Sequence, residues 1–145
     1  MIITFTVPGP PQGKARPRVV RTATGKSRSY TPDKTVAYEE LVRQRYLAVA
    51  NGIGFGGKDA LMVTIVAYYP IPASVSKRRR ADMLAGNERP TKKPDYDNIG
   101  KIVCDALNGI AYQDDAQITD GRVVKRYTDG PGEVWVRIWS HEVTK

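Results

Sequence analysis

Histidine and cysteine are almost missing from this 145-residue chain: each occurs once, as His141 and Cys104. A lone cysteine permits no internal disulfide and no thiolate zinc site, and it suits a reducing compartment. A lone histidine just past a strand-like run is a poor start for a Ser-His-Asp triad and reads as an end-of-strand residue. If the chain is an enzyme, its polar catalysts are carboxylates and lysine. No apolar run approaches the roughly 20 residues of a membrane helix. The opening MIITFTVPGP lacks the charged-then-apolar layout of a secretory signal. The expectation is a cytoplasmic protein with no membrane span. Residues 52–57 are glycine-rich but have neither the lysine nor the spacing of a nucleotide-binding P-loop.

Acid is also absent from the first thirty-two residues, where Lys14, Arg16, Arg18, Arg21, Lys26 and Arg28 fall. A second basic cluster holds Lys77, Arg78, Arg79, Arg80, Arg89, Lys92 and Lys93, opposed only by Asp82 and Glu88. The net charge is +8. Each cluster lies in or beside a Pro-, Gly- or Ser-rich segment, where backbone can follow a curved polyanion. Solvated, solubilising charge is the plain alternative, but two such clusters favour phosphate-backbone binding. The candidates for DNA contact are Lys14, Arg16, Arg18, Arg78, Arg79, Arg80, Lys92 and Lys93.

A hydrophobic content of 41% and a length of 145 residues fit one domain, 1–145, with a real core. Residues 2–7 alternate and are β-branched, which predicts a strand. The Pro-Gly-Pro-Pro run that follows ends it, and a long basic loop is expected to about Tyr30. Thr31, Pro32 and Asp33 give a helix start, with Thr31 as capping hydroxyl, and Asn51-Gly52 stops that helix after Ala50. Residues 61–69 read as a second strand, and Ser76 caps a short basic helix ending at Gly86. Ile99, Ile102, Val103, Ala106, Leu107 and Ile110 form one apolar stripe at helical spacing, with Asp97, Lys101 and Asp105 on the other side. Residues 118–127 and 134–139 read as strands joined by a Thr-Asp-Gly-Pro-Gly turn, a hairpin signal. The sum is a mixed α/β (α+β) domain, helices packed on a small mixed sheet.

The chemistry concentrates in Lys93-Pro94-Asp95-Tyr96-Asp97-Asn98. In an extended segment residues i and i+2 face one side, so Asp95 and Asp97 can face one cation. A helix start keeps such carboxylates ionised, as a hard cation such as Mg²⁺ requires. The structural alternative is an Asx-turn and N-cap. Asp114-Asp115 follows the helix and a turn that can bring the chain back toward the helix's own start. Only one of two adjacent extended residues should join a site there. Lys101 could balance the acids or donate to a phosphate oxygen; otherwise it makes an ordinary i,i+4 ion pair.

The run K-P-D-Y-D-N-I-G-K-I-V-C-D-A-L-N-G-I-A-Y-Q-D-D-A-Q-I resembles the core signature of the RusA family of Holliday-junction resolvases, especially versions carried by phages and prophages. The pattern is Asp-x-Asp-Asn, a lysine three residues on, Asp-Ala-Leu, then Asp-Asp-x-Gln and an apolar residue. The looser likeness takes in the opening strand, the Pro-Gly and basic loop, and the closing hairpin. One departure is that Lys77-Arg78-Arg79-Arg80 stands well upstream of the acids, with only Lys92 and Lys93 adjacent. The resemblance implies a RusA-like fold and a Mg²⁺-dependent endonuclease that cuts four-way DNA junctions as a homodimer. By position it makes Asp95, Asp97 and Asp115 the metal-binding acids and Lys101 the catalytic lysine. Two rival readings stand beside it: a non-catalytic basic DNA-binding module, and a metal nuclease acting on flaps or other branched DNA.

Overall fold

The computed structural model describes residues 1–16, 18–30 and 32–141, leaving aside the side chains of Arg18 and Tyr30. Thr31, the expected capping hydroxyl, and the Arg18 side chain therefore lie outside the described parts. The elements in order are β1 (Ile2–Pro8), β2 (Arg18–Arg21), β3 (Ser27–Tyr30), α1 (Asp33–Ala50) and β4 (Leu61–Pro70). There follow α2 (Lys77–Ala85), α3 (Tyr96–Leu107), a 3₁₀ turn (Asp115–Gln117), β5 (Ile118–Thr128) and β6 (Glu133–Ser140). The fold is mixed α+β. A four-stranded sheet runs β1-β6-β4-β5, with β5 parallel to β4 and the other neighbours antiparallel.

β4 is an inner strand, paired on both sides, and its alternation shows which face becomes core. Leu61, Val63, Ile65, Ala67 and Tyr69 are buried, while the intervening residues stay half-exposed. Buried residues of β1 and β6, such as Phe5, Val7, Val134 and Val136, join the same core. α1 contributes Tyr38, Val42 and Tyr46, and α3 contributes the expected stripe of Ile99, Ile102, Val103, Ala106 and Leu107. Ile110, the last residue of that stripe, sits just past the helix and is only partly buried. Each fully buried aliphatic side chain is worth roughly 1.5–3 kcal/mol over leaving it in water. This apolar face therefore fixes α3 along the sheet, and its two ends are placed by that packing.

The stop signals act as expected. Asn51 takes the left-handed conformation (φ 51°) after α1, Ser76 Oγ accepts from Arg79 N at 3.2 Å, and Gly86 (φ 83°) ends α2. Two expectations are corrected. The basic segment before Tyr30 is not all loop, since β2 and β3 pair in it as a small antiparallel ribbon. The closing strands do not form a hairpin either, because β4 lies between β5 and β6. Their connection crosses the end of β4: Ile71 N donates to Thr128 O (3.1 Å) and Gly9 N to Gly132 O (3.1 Å). Gly132 has a positive φ (99°) that side chains rarely adopt, and a Cβ there would press on backbone, 3.0 Å from Pro10 Cα and 3.1 Å from Tyr68 O. The turn residues are right for a reversal, but partner choice is settled by the most apolar strand taking the middle.

Candidate active site and nucleic-acid interface

α3 begins at Asp95, whose backbone is extended (φ −71°, ψ 154°) and whose carbonyl accepts the first helical bond from Ile99 N at 3.0 Å. Its carboxylate makes no capping hydrogen bond. Asp97 lies in the first helical turn, so the two acids do not share the extended segment that alternation supposes. Both are exposed, and among the described residues neither carboxylate accepts a hydrogen bond or forms an ion pair. The plain capping role is therefore not how these carboxylates are used. Lys101 is exposed one turn further on and forms no ion pair among the described residues, so the ordinary i,i+4 bridge is absent too.

The approach to Asp95 is tied down from the sheet. Tyr69, buried at the end of β4, donates its hydroxyl to Pro94 O at 2.7 Å. Lys125 of β5 donates to Lys92 O at 2.6 Å, and its ammonium lies 5.1 Å from the centre of the Tyr69 ring. Burial raises the Tyr69 phenol to about 12, helped by the negative charge of Asp95. From the other side, Gly13 packs on this start: a Cβ there would meet Pro94 Cβ at 3.0 Å and Asn98 Cβ at 3.2 Å. Lys14 N donates to Asn98 O at 3.1 Å. Its ammonium turns away to Glu39 (3.1 Å) and Asp105 (3.5 Å), so its charge is balanced internally.

Asp115 sits at the opposite end of α3. Its N–H donates to Asn108 Oδ1 at 2.9 Å, Asn108 being the residue that follows the helix, and Tyr112 donates to Cys104 O at 2.7 Å. The turn after α3 holds the chain at the helix's carboxyl end and does not return it to the start. The glycine-rich connection seats this segment: Phe55 N donates to Ala111 O (2.8 Å), and Gln117 Nε2 donates to Gly56 O (2.7 Å). Asp114 caps the 3₁₀ turn, accepting from Ala116 N at 3.0 Å, which holds its carboxyl low. Asp115 is pushed up by sharing a proton with Asp114, by burial, and by the charges of Asp114 and Asp105. Burial lifts the Cys104 thiol to about 11, with Asp115 and Asp105 adding to the rise.

Among the described residues no three His, Cys, Asp or Glu side chains converge to hold a metal ion. Asp97 lies in the first turn of α3 and the Asp115 backbone bonds to Asn108 just past its end, so most of a helix whose 12 residues rise about 18 Å lies between those two anchor points. The donor chemistry still fits a hard divalent cation, since Asp95 and Asp97 are uncommitted and Asp115 lies among repelling acids. Within one chain these carboxylates lie near opposite ends of α3.

The remaining basic candidates divide into tied and free. Arg79 pairs with Glu88 at 2.9 Å. Arg16, Arg78, Lys92 and Lys93 are exposed and Arg80 is half-exposed, none of them in an ion pair among the described residues. Lys92 Nζ stands 6.0 Å from the Tyr127 ring centre. Two residues escape sequence reasoning. Tyr69 shows only as the end of a strand run, although an aromatic with a polar tip is a usual way to fasten a loop. Lys34, in the first turn of α1, carries no motif signal; it borders the same recess as Asp95.

Exposed acids stand beside unpaired lysines on an α+β scaffold of net charge +8, a combination that suits phosphodiester chemistry. The model of the RusA endodeoxyribonuclease family matches residues 8–139, nearly the whole chain, and the protein belongs to that family. It is also 35% identical over 143 residues to the uncharacterized protein YqaN of Bacillus subtilis (strain 168), covering 93% of this chain and 95% of that one. No described helix is long and apolar enough to cross a membrane.

Proposed function

We propose that this nuclease is a Mg²⁺-dependent, structure-specific endodeoxyribonuclease of the cytoplasm that resolves four-way DNA junctions by paired phosphodiester hydrolysis. The observation that carries the reading is the pair of uncommitted, exposed carboxylates, Asp95 and Asp97, held at a rigid helix start in a family of endodeoxyribonucleases. Asp95, Asp97 and Asp115 would hold the metal; when bound, Mg²⁺ supplies a water activated near neutral pH and charge to offset the transition state. Lys101, free and one turn from Asp97, neutralises a phosphate oxygen or assists the leaving group. A four-way junction has approximate two-fold symmetry and is nicked in two strands, so a two-fold homodimer with two active sites suits it.

The length of α3 supports the dimer from a second direction. One chain holds Asp115 at the far end of the helix from Asp97. A site using all three acids is therefore completed by Asp95 and Asp97 of one protomer and Asp115 of another.

The test compares synthetic four-way junctions, flaps and linear duplex in one cleavage assay with Mg²⁺. The parental protein should cut the junction preferentially, and Asp115→Asn should bind it but leave it uncut. Preference for flaps would move the reading to the trimming nuclease, and cutting by Asp115→Asn at the parental rate would remove Asp115 from the site.

A further inference from the structure

We infer a phosphate subsite centred on Lys34, which receives the DNA backbone beside the position of cleavage. The inference rests on the reading above that this protein acts on branched DNA. Two recesses flank the loop of residues 11–16, one of about 390 Å³ bounded by Arg16, Pro32 and Lys34, the other of about 410 Å³ bounded by Lys34, Lys93, Pro94, Asp95 and Asn98. Gln12, Gly13 and Lys34 border both, so the two form one groove that starts at Asp95 and passes the first turn of α1. A third, almost wholly apolar recess of about 250 Å³, walled by Ala37, Tyr38 and Leu41, also shares Gln12 and Lys34.

The charge lining this groove is free to act on a ligand. The floor is fixed, because Gly13 packs against Pro94 and Asn98 and the next backbone N–H bonds to Asn98 O. Lys14, the cation nearest that floor, is neutralised by Glu39 and Asp105. Arg16, Lys34 and Lys93 remain around the mouth, all exposed and none in an ion pair among the described residues. Three unpaired cations with one carboxylate, Asp95, at one end suit a phosphodiester chain that passes that acid and continues over Lys34. The apolar recess beside Lys34 accepts the deoxyribose that separates successive phosphates. Gln12 and Lys34 border all three recesses, and Lys34 is the charged one of the two, so it should matter more than its neighbours.

The experiment measures binding of a synthetic four-way junction in chelator, over a series of salt concentrations, for the parental protein, Lys34→Ala, Lys34→Arg and Lys58→Ala. Lys58 is exposed in the connection before β4 and removes the same charge away from the groove. Lys34→Ala should weaken binding roughly threefold to tenfold at low salt and flatten the log–log salt slope by about 0.9 for each phosphate no longer neutralised. Lys34→Arg should restore both, and Lys58→Ala should leave both unchanged. Equal losses in Lys34→Ala and Lys58→Ala would reduce the effect to net charge and overturn the subsite. A parental protein that cuts junctions while Lys34→Ala binds at the parental affinity and slope overturns the subsite alone. A parental protein that neither holds nor cuts branched DNA overturns the functional reading and the subsite together.

Discussion

At the amino end of α3, Asp95 and Asp97 stand in solvent with no hydrogen bond from the described residues; at the carboxyl end, Asp115 is held by Asn108 and faced by Asp114 and Asp105. The first pair sits where the helix dipole is positive and welcomes negative charge, the second group where it is negative and opposes it. The helix between them is pinned by its buried stripe, so neither end can move to the other without unpacking the core. The amino end is ready to hold a ligand at little cost. The carboxyl end is already crowded with negative charge, which an arriving cation would relieve.

The largest expected effect breaks this comparison directly. Asp97→Asn and Asp115→Asn alone should each lower junction cutting by at least about a hundredfold, since loss of a metal ligand exceeds the 10- to 100-fold cost of losing its supporting partners. Mixed dimers of the two variants, purified through two different tags, should regain cutting. If the site draws Asp97 from one protomer and Asp115 from the other, each mixed dimer has one intact site and one doubly damaged site. Nicking should return to about half the parental rate, with one strand cut where the parental protein cuts two. Mixed dimers as inactive as either parent variant would place the whole site within one chain.

A smaller effect tests how the amino end is held. Tyr69→Phe keeps the ring against Lys125 and deletes only the 2.7 Å bond to Pro94 O. The stability cost should be about 0.5–1.5 kcal/mol. If Tyr69 positions Asp95, kcat should fall about tenfold while KM and junction affinity hold, because a misplaced ligand harms chemistry more than binding. A variant that loses stability but keeps kcat would make Tyr69 a structural fastening only.

How much of this is legible in the sequence follows from how local each cause is. The α3 stripe, the Asn51 and Gly86 stops and the Ser76 cap are readable because each depends on residues within about a turn. The pairing of β5 is not. The Thr-Asp-Gly-Pro-Gly turn predicts a reversal, but only the whole sheet shows that β4 takes the place between the strands. The acids are legible only as residue types in a motif, and the expected return of Asp115 toward the helix start is replaced by a bond from its N–H to Asn108 Oδ1, just past the helix end. Where that segment lands is set by residues far off in sequence, through Gln117 bonding to Gly56 and Phe55 to Ala111. Lys14 carries the same error in reverse: the sequence shows a free basic residue, and only the fold brings Glu39 and Asp105 to it.

The smallest effect is one of sign. Without metal and at low ionic strength, Asp97→Asn should destabilise the protein by about 0.3–1 kcal/mol, because it removes a negative charge from the positive end of α3. Asp115→Asn should stabilise it, by about 0.5 kcal/mol or less after allowing for solvent, because it removes a carboxylate that its neighbours oppose. The pH dependence follows from the raised carboxyl of Asp115. A folded value above the unfolded one means the native state keeps the proton longer, so stability falls as pH climbs from the ordinary carboxylate range through the folded value. The advantage of Asp115→Asn should therefore vanish in acid and open as pH rises. Asp114 has the opposite sign, since its lowered carboxyl contributes stability above the ordinary value and loses it in acid. Denaturant titrations of both variants in chelator across that range measure the difference. Curves for Asp97→Asn and Asp115→Asn that stay together as pH rises would show that the two ends of α3 are electrostatically alike, and the contrast on which the two-protomer site leans would be lost.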